Sequence, residues 1–267
     1  MDDPDVLLTN DDGIDSPGLR VLYETLSELG DVTVVAPAED QSAVGRAMST
    51  EAVVHEHDLG YAVAGTPADC VVAGIEALCP GPDLVVSGCN RGANLGAYVL
   101  GRSGTVSAAV EATFFDVPAI AVSLYVKTPE DITFAEYDVA REDYREARRA
   151  TRYLVEHGPD AGAFERADYL NVNAPRPADR DDSGPAPMRI TEPSDAYEMD
   201  AVHENGRVRL HDRMWERMAT GDVPGGPDTD RRALVEGAVS VSPLTAPHTV
   251  RRQDALDALA ETYPGGE

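Results

Sequence analysis

Lysine is nearly absent from these 267 residues: Lys127 stands alone, and every other basic side chain is an arginine. Basic residues number 22 against 48 acidic ones, for a formal net charge of −26. A chain so poor in positive charge repels the phosphates of nucleic acid and the surface of an anionic membrane, so neither is an expected partner. Long apolar runs are missing too; none approaches the roughly 20 residues of a transmembrane helix. Met1-Asp2-Asp3-Pro4-Asp5 has neither the basic region nor the apolar stretch of a secretory signal, which makes the cytoplasm the expected location. Cysteine is scarce. Cys70, Cys79 and Cys89 are odd in number and form no CxxC pair, so they read as small buried apolar residues in a reducing compartment.

Several motifs are absent as well. No GxGxxG follows the first apolar strand, no GxxxxGK[ST] occurs, and there is no GxSxG. These absences argue against a dinucleotide cofactor, a P-loop enzyme and a serine hydrolase. His55-Glu56-His57 offers two histidines, but strand alternation alone would put both on one face. The acidic residues are spread along the chain rather than gathered in a tail, and hydrophobic residues make up 42% of it. That composition describes a globular protein suited to a salt-rich cytoplasm, where screening suppresses self-repulsion.

What is present is an alternation of strands and helices. Val6–Thr9, Val32–Ala36, Leu84–Val86 and Ala119–Val122 are short, continuously apolar runs. Pro17–Leu29 carries Leu19, Leu22, Leu26 and Leu29 at helical spacing, and Thr105–Phe115 reads as another helix. Thr66-Pro67-Ala68-Asp69 opens a helix with a cap, a first-turn proline and an acid facing the helix dipole. The pattern predicts a mostly parallel sheet covered on both faces, with ligands beyond the carboxyl ends of the strands. Further on, 49–63 reads as extended hairpin material, Asp143–His157 as a charged helix, Tyr169–Val172 as a fifth strand, and 174–187 as a loop. Asn205-Gly206 marks a hairpin turn, and Arg251–Tyr263 reads as a terminal helix. Tyr153, Tyr169 and Trp215 read as core or interface residues rather than as a base-stacking box. No repeat or linker breaks the chain, so 1–267 is expected to be one domain. Within it, 1–125 would form the metal-binding core, 126–250 the remaining sheet and a projecting hairpin, and 251–267 a C-terminal helix.

Three loops, each directly after an expected strand, carry the chemistry. Asn10-Asp11-Asp12-Gly13 places two adjacent carboxylates at a strand end, a costly arrangement that a hard divalent cation would neutralise. Ser42, in the loop from Pro37, adds a hydroxyl. Asn90, in the glycine-rich segment Ser87–Gly96, adds an amide oxygen, and Ser103-Gly104-Thr105 opens a helix whose N-terminus suits a phosphate. Alone, each element also reads as an ordinary turn or cap. Together at one sheet edge they point to metal-assisted phosphoryl chemistry.

With Leu8–Gly13, Pro17-Gly18, Val34–Pro37, Gln41-Ser42, Gly65–Cys70, Pro82–Gly88, Asn90, Asn94–Gly96, Ser103–Val106 and Pro118–Ser123, the chain resembles the SurE survival-protein family of nucleotidases. Weaker matches follow at Asn171–Asn173, Thr229-Asp230 and Val239–Leu244. The resemblance implies a three-layer α/β/α sandwich and one divalent metal ion per subunit, held by Asp11, Asp12, Ser42 and Asn90. All four are oxygen donors, which favours Mg²⁺ or Mn²⁺. It implies hydrolysis of nucleoside 5′- or 3′-monophosphates, with Asp11 and Asp12 essential, and a homodimer or homotetramer with exchanged C-terminal segments. Asn10, Ser103, Gly104 and Thr105 would hold the phosphate, Asn10 on condition that it faces the site. Phosphatase action on other small monophosphates or short polyphosphates, and a nucleotide-binding regulator without turnover, are the rival readings. Two departures from the family pattern stand beside the phosphate site: Tyr98-Val99-Leu100-Gly101-Arg102 in place of an Asp-Val-x-Tyr segment, and Ala43 where a glycine is usual.

Overall fold

The computed structural model describes residues 3–127, 138–180 and 184–246. In chain order the elements are β1 (Asp5–Thr9), α1 (Pro17–Leu26), β2 (Asp31–Pro37), β3 (Val53–His57), β4 (Gly60–Ala64), α2 (Pro67–Ala73), β5 (Leu84–Arg91), α3 (Ala97–Leu100), α4 (Gly104–Thr113), β6 (Ala119–Tyr125), α5 (Arg145–His157), β7 (Tyr169–Pro175), β8 (Met188–Ile190), β9 (Met199–Glu204), β10 (Arg207–Asp212), α6 (Arg213–Thr220), α7 (Asp230–Val235) and β11 (Val239–Leu244). Nine strands form one sheet in the order β3-β4-β2-β1-β5-β6-β7-β11-β8, while β9 and β10 pair separately. Pairing is parallel from β4 through β7; β3 on β4 and β11 on β7 are antiparallel.

Strand alternation splits the interior into two layers. Leu8, Val34, Val86 and Ile120 point to one face, where Leu19, Leu22 and Leu26 of α1 and Ala147 and Leu154 of α5 cover them. Leu7, Val35, Val85 and Ala121 point to the other, against Val71 of α2 and Val106 and Ala109 of α4. This is the expected three-layer α/β/α sandwich. Leu19, Leu22 and Leu26 are fully buried, each contributing about 1.5–3 kcal/mol by removal from water.

The helix expected over Pro17–Leu29 ends at Leu26, because the Leu26 carbonyl accepts the N–H of both Leu29 and Gly30 and so turns the chain into β2. The charged helix begins as a 3₁₀ turn, Arg141–Tyr144, before α5 proper. Strands β8 and β11, which extend the sheet beyond β7, were not anticipated. The Asn205-Gly206 hairpin forms as expected: both residues take positive φ, 51° and 74°, the backbone of a type I′ turn. The helix expected over Arg251–Tyr263 lies outside the described residues. Among the described residues no helix is long and apolar enough to cross a membrane.

The topology locates the site. From β1 the chain passes to β2 on one side, and later returns to β5 on the other. The carboxyl ends of β1 and β5 therefore flank a switch point, the place where an open α/β sheet leaves a crevice.

Candidate active site

Asp11 and Asp12 leave β1 at this crevice. The Asp11 carboxylate is buried, and its Oδ1 accepts the Thr105 hydroxyl at 2.6 Å, so the first turn of α4 grips it. Gly104 makes that grip possible: a Cβ there would stand 2.7 Å from Asp11 Cβ and 2.8 Å from Oδ2. Asp12 Oδ2 accepts the Arg91 backbone N–H at 2.9 Å, across the switch point. Burial raises the Asp11 pKa above the usual carboxylate range. Burial, and then the adjacent Asp11, push Asp12 up to about 7.

Asn90 donates its amide N–H to the Gly92 carbonyl at 2.6 Å, so its amide oxygen is the atom that could meet a cation. Ser42 lies in the loop after β2, its backbone N–H held by Asp40 Oδ1 at 2.7 Å. Asp40 also adds negative charge near Asp11 and Asp12. Ser103 caps α4, its hydroxyl accepting the Val106 N–H.

A cavity of about 530 Å³ opens here, with Asp11, Ser42, Asn90 and Ser103 in its wall. Arg91, Arg102 and Lys127 also line it, so the sole lysine and two arginines of a strongly acidic chain meet at one opening. Asp12, Gly104 and Thr105 do not line it but adjoin residues that do: Thr105 and Gly104 against Asp11, Asp12 on the Arg91 N–H. Asn10 does not face the cavity: its Nδ2 donates to the Gly13 carbonyl and to Ser16 Oγ, and its Oδ1 is buried without a hydrogen-bond partner. The condition placed on Asn10 as a phosphate ligand is not met, because its donors are spent on shaping the Asp11-Asp12 turn.

The donor set suits a hard divalent cation. The buried Asp11 disfavours the charge of the partly buried Asp12 beside it, and a hydroxyl and an amide oxygen complete an all-oxygen group. Among the described residues no three His, Cys, Asp or Glu side chains converge as metal ligands, so a cation here relies on Ser42 and Asn90 as well. His55 and His57 lie on the edge strand β3, far along the sheet order from β5.

The profile of the Survival protein SurE family matches residues 6–199. The chain belongs to this family. A protein from Haloarcula marismortui named 5′-nucleotidase SurE is 65% identical over 270 residues, spanning 100% of this chain and 99% of the relative. Another of that name from Haloquadratum walsbyi is 59% identical, over 97% and 96% respectively. The crystal structure of the SurE protein from Aquifex aeolicus superposes with a TM-score of 0.72 at 33% identity, covering 90% of this chain and 93% of that one.

Within the SurE fold, several positions tied to the site escape a reading of loops alone. Asn94 is buried in an asparagine network. Its N–H donates to Asn173 Oδ1, its carbonyl accepts from Asn171 and Asn173, and its Nδ2 donates to Ser123 Oγ. Asp230 Oδ2 accepts the Gly96 N–H at 2.7 Å, and Arg231 donates to the Leu95 carbonyl. The motif Asn171-Val172-Asn173 hinted at the first clamp; the sequence held no signal for the second beyond Thr229-Asp230. Trp215, expected in a core or interface, instead lines the cavity. Ala43 adopts φ 61°, the left-handed region where glycine is at ease, which accounts for the family's glycine there.

Proposed function

We propose that this chain is a divalent-metal-dependent 5′-nucleotidase that hydrolyses nucleoside monophosphates to nucleoside and phosphate. One observation carries the reading: Asp11, Ser42, Asn90 and Ser103, drawn from three strand ends and a helix N-terminus, share the wall of one cavity at the sheet's switch point. The names of the relatives from Haloarcula marismortui and Haloquadratum walsbyi support it.

Asp11, Asp12, Ser42 and Asn90 would hold the cation, Mg²⁺ or Mn²⁺, which when bound supplies Lewis-acid stabilisation of charge on the phosphoryl group. Ser103 and the backbone N–H groups of Gly104 and Thr105 present the N-terminus of α4 to the remaining phosphate oxygens. Thr105 meanwhile fixes the Asp11 carboxylate, so phosphate site and carboxylate move as one unit. Arg91, Arg102 and Lys127 draw an anionic substrate into an otherwise repelling protein. Water attacks phosphorus in line, the bond to the nucleoside oxygen breaks, and that oxygen takes up a proton. Positioning and preorganised dipoles account for most of the acceleration.

A homo-oligomer belongs to this reading. The β9–β10 hairpin exposes Val202, Val208 and Leu210, and a two-stranded hairpin is marginal unless packed on a partner. The test of function is phosphate release from a panel of nucleoside monophosphates, with EDTA and after adding back Mg²⁺ or Mn²⁺. Activity should vanish with EDTA and return with either ion; turnover surviving exhaustive chelation would overturn metal dependence.

A further inference from the structure

The cavity is also walled by side chains that phosphate chemistry does not use. Trp215 and Tyr125 line it, with ring centroids 6.5 Å apart and planes 15° from parallel. This is an offset stack, and both rings contribute to the cavity wall. Tyr125 ends β6 and is 7% exposed; Trp215, on α6, is 39% exposed. An indole that open on a cavity wall offers an aromatic face to a ligand.

The rings are held in place. Met214 and Met218 of α6 are buried, and Met218 packs with Tyr125, Ala93 and Leu95, the last two from the loop that carries Asn90. Asp212 caps α6 through Oδ1, while its Oδ2 accepts the Tyr98 hydroxyl at 2.5 Å. The helix bearing Trp215 is thereby tied to the segment that opens α4. At about 530 Å³ the cavity is within the range of small-molecule sites, and larger than a phosphate alone requires.

We propose that Trp215, backed by Tyr125, is the nucleobase platform of this site and selects nucleoside monophosphates over phosphate esters that lack a base. The inference rests on the nucleotidase reading for the phosphate end but stands on its own geometry. An aromatic face takes any base by stacking, so the platform confers preference for a nucleotide without strong choice among bases.

Trp215 is the only tryptophan in the chain, so its fluorescence reports this site alone. AMP titrated into the full-length wild-type protein with Mg²⁺ or Mn²⁺ should quench the emission saturably, and inorganic phosphate should not. Trp215→Ala should raise KM for AMP about tenfold more than KM for glycerol phosphate, with Trp215→Phe recovering most of the difference. Equal loss toward both substrates, or AMP hydrolysis without any quench, would overturn the platform. If AMP quenches but is not hydrolysed, the platform holds and the nucleotidase reading fails.

Discussion

The two loops that meet at the switch point are held in opposite ways. The backbone turn after β1 is shaped by its own neighbours, Asn10 bonding to Gly13 and Ser16, while its two carboxylates are held from afar by the Thr105 hydroxyl and the Arg91 N–H. The loop after β5 has little local support. Asn94, Leu95 and Gly96 are pinned by Asn171, Asn173, Asp230 and Arg231, from 77 to 136 residues away in sequence. One loop makes its own backbone turn and borrows distant donors only to aim its carboxylates. The other waits for the second half of the chain to fold around it. This division of labour keeps Asn90 and the cavity wall dependent on distant buried polar groups, which are costly to leave unpaired.

The largest effect that would break or sharpen this contrast lies at the loop after β1. Asp12→Asn nearly preserves shape and the acceptor for the Arg91 N–H, but removes one charge from the cation site. Activity should fall about a hundredfold or more, with the melting temperature little changed. Near-normal turnover with metal bound would remove Asp12 from the chemistry.

The second effect separates the two loops by stability. Asp230 is fully buried, and its carboxylate accepts the N–H groups of Gly96, Ser194 and Arg231. Burial pushes its pKa up, while those N–H bonds and the Arg231 guanidinium work against the shift. Asp230→Ala would orphan three N–H donors and remove a negative charge near the buried Arg231 guanidinium, at a cost of about 3–5 kcal/mol. Asn10→Ala loses only two neutral bonds within one turn, at about 1–2 kcal/mol. Urea melts of the two variants measure the gap. Equal losses would mean that the β5 loop is held mainly by apolar packing around Leu95 rather than by the distant clamp.

The same contrast explains what the sequence made legible. Asp11 and Asp12 stand out because adjacent carboxylates after an apolar strand are costly on any fold, and the reason is visible in five residues. The alternating strands and helices were readable because continuous apolar runs and leucine spacing reflect local periodicity. Asp230, Arg231 and Trp215 carry no such local mark. Thr229-Asp230 looks like a helix cap, and Trp215 on an amphipathic helix looks like core. Their roles arise only when β11 and β8 join the sheet beyond β7 and bring the chain's second half back over the β5 loop. Asn10 shows the converse: its place beside two carboxylates suggests a ligand and gives no sign of the hydrogen bonds by which its amide N–H groups serve the turn.

The smallest effect lies between the two loops, in the segment after β2 that carries Ser42. Here a local turn sets the conformation of Ala43: the Val44 N–H donates to the Gln41 carbonyl at 3.2 Å, and Ala43 is the third residue of that turn, where positive φ is required. At φ 61° its Cβ crowds its own backbone, which costs an L-residue roughly 1–2 kcal/mol relative to glycine. Ala43→Gly removes that strain but gives the unfolded chain more freedom, which offsets roughly 0.5–1 kcal/mol. The net expectation is a gain of about 0.5 kcal/mol, a rise of one to two degrees or so in melting temperature for a chain of this size. Ala43 is also in the cavity wall beside Ser42, so a looser backbone should lower metal affinity even as the fold gains. Isothermal titration of Mn²⁺ alongside a thermal melt would read both. A stabilised variant that binds Mn²⁺ more weakly would mean that the alanine holds Ser42 in place at the expense of local strain. A destabilised variant would mean that contacts of the Ala43 methyl outweigh its backbone.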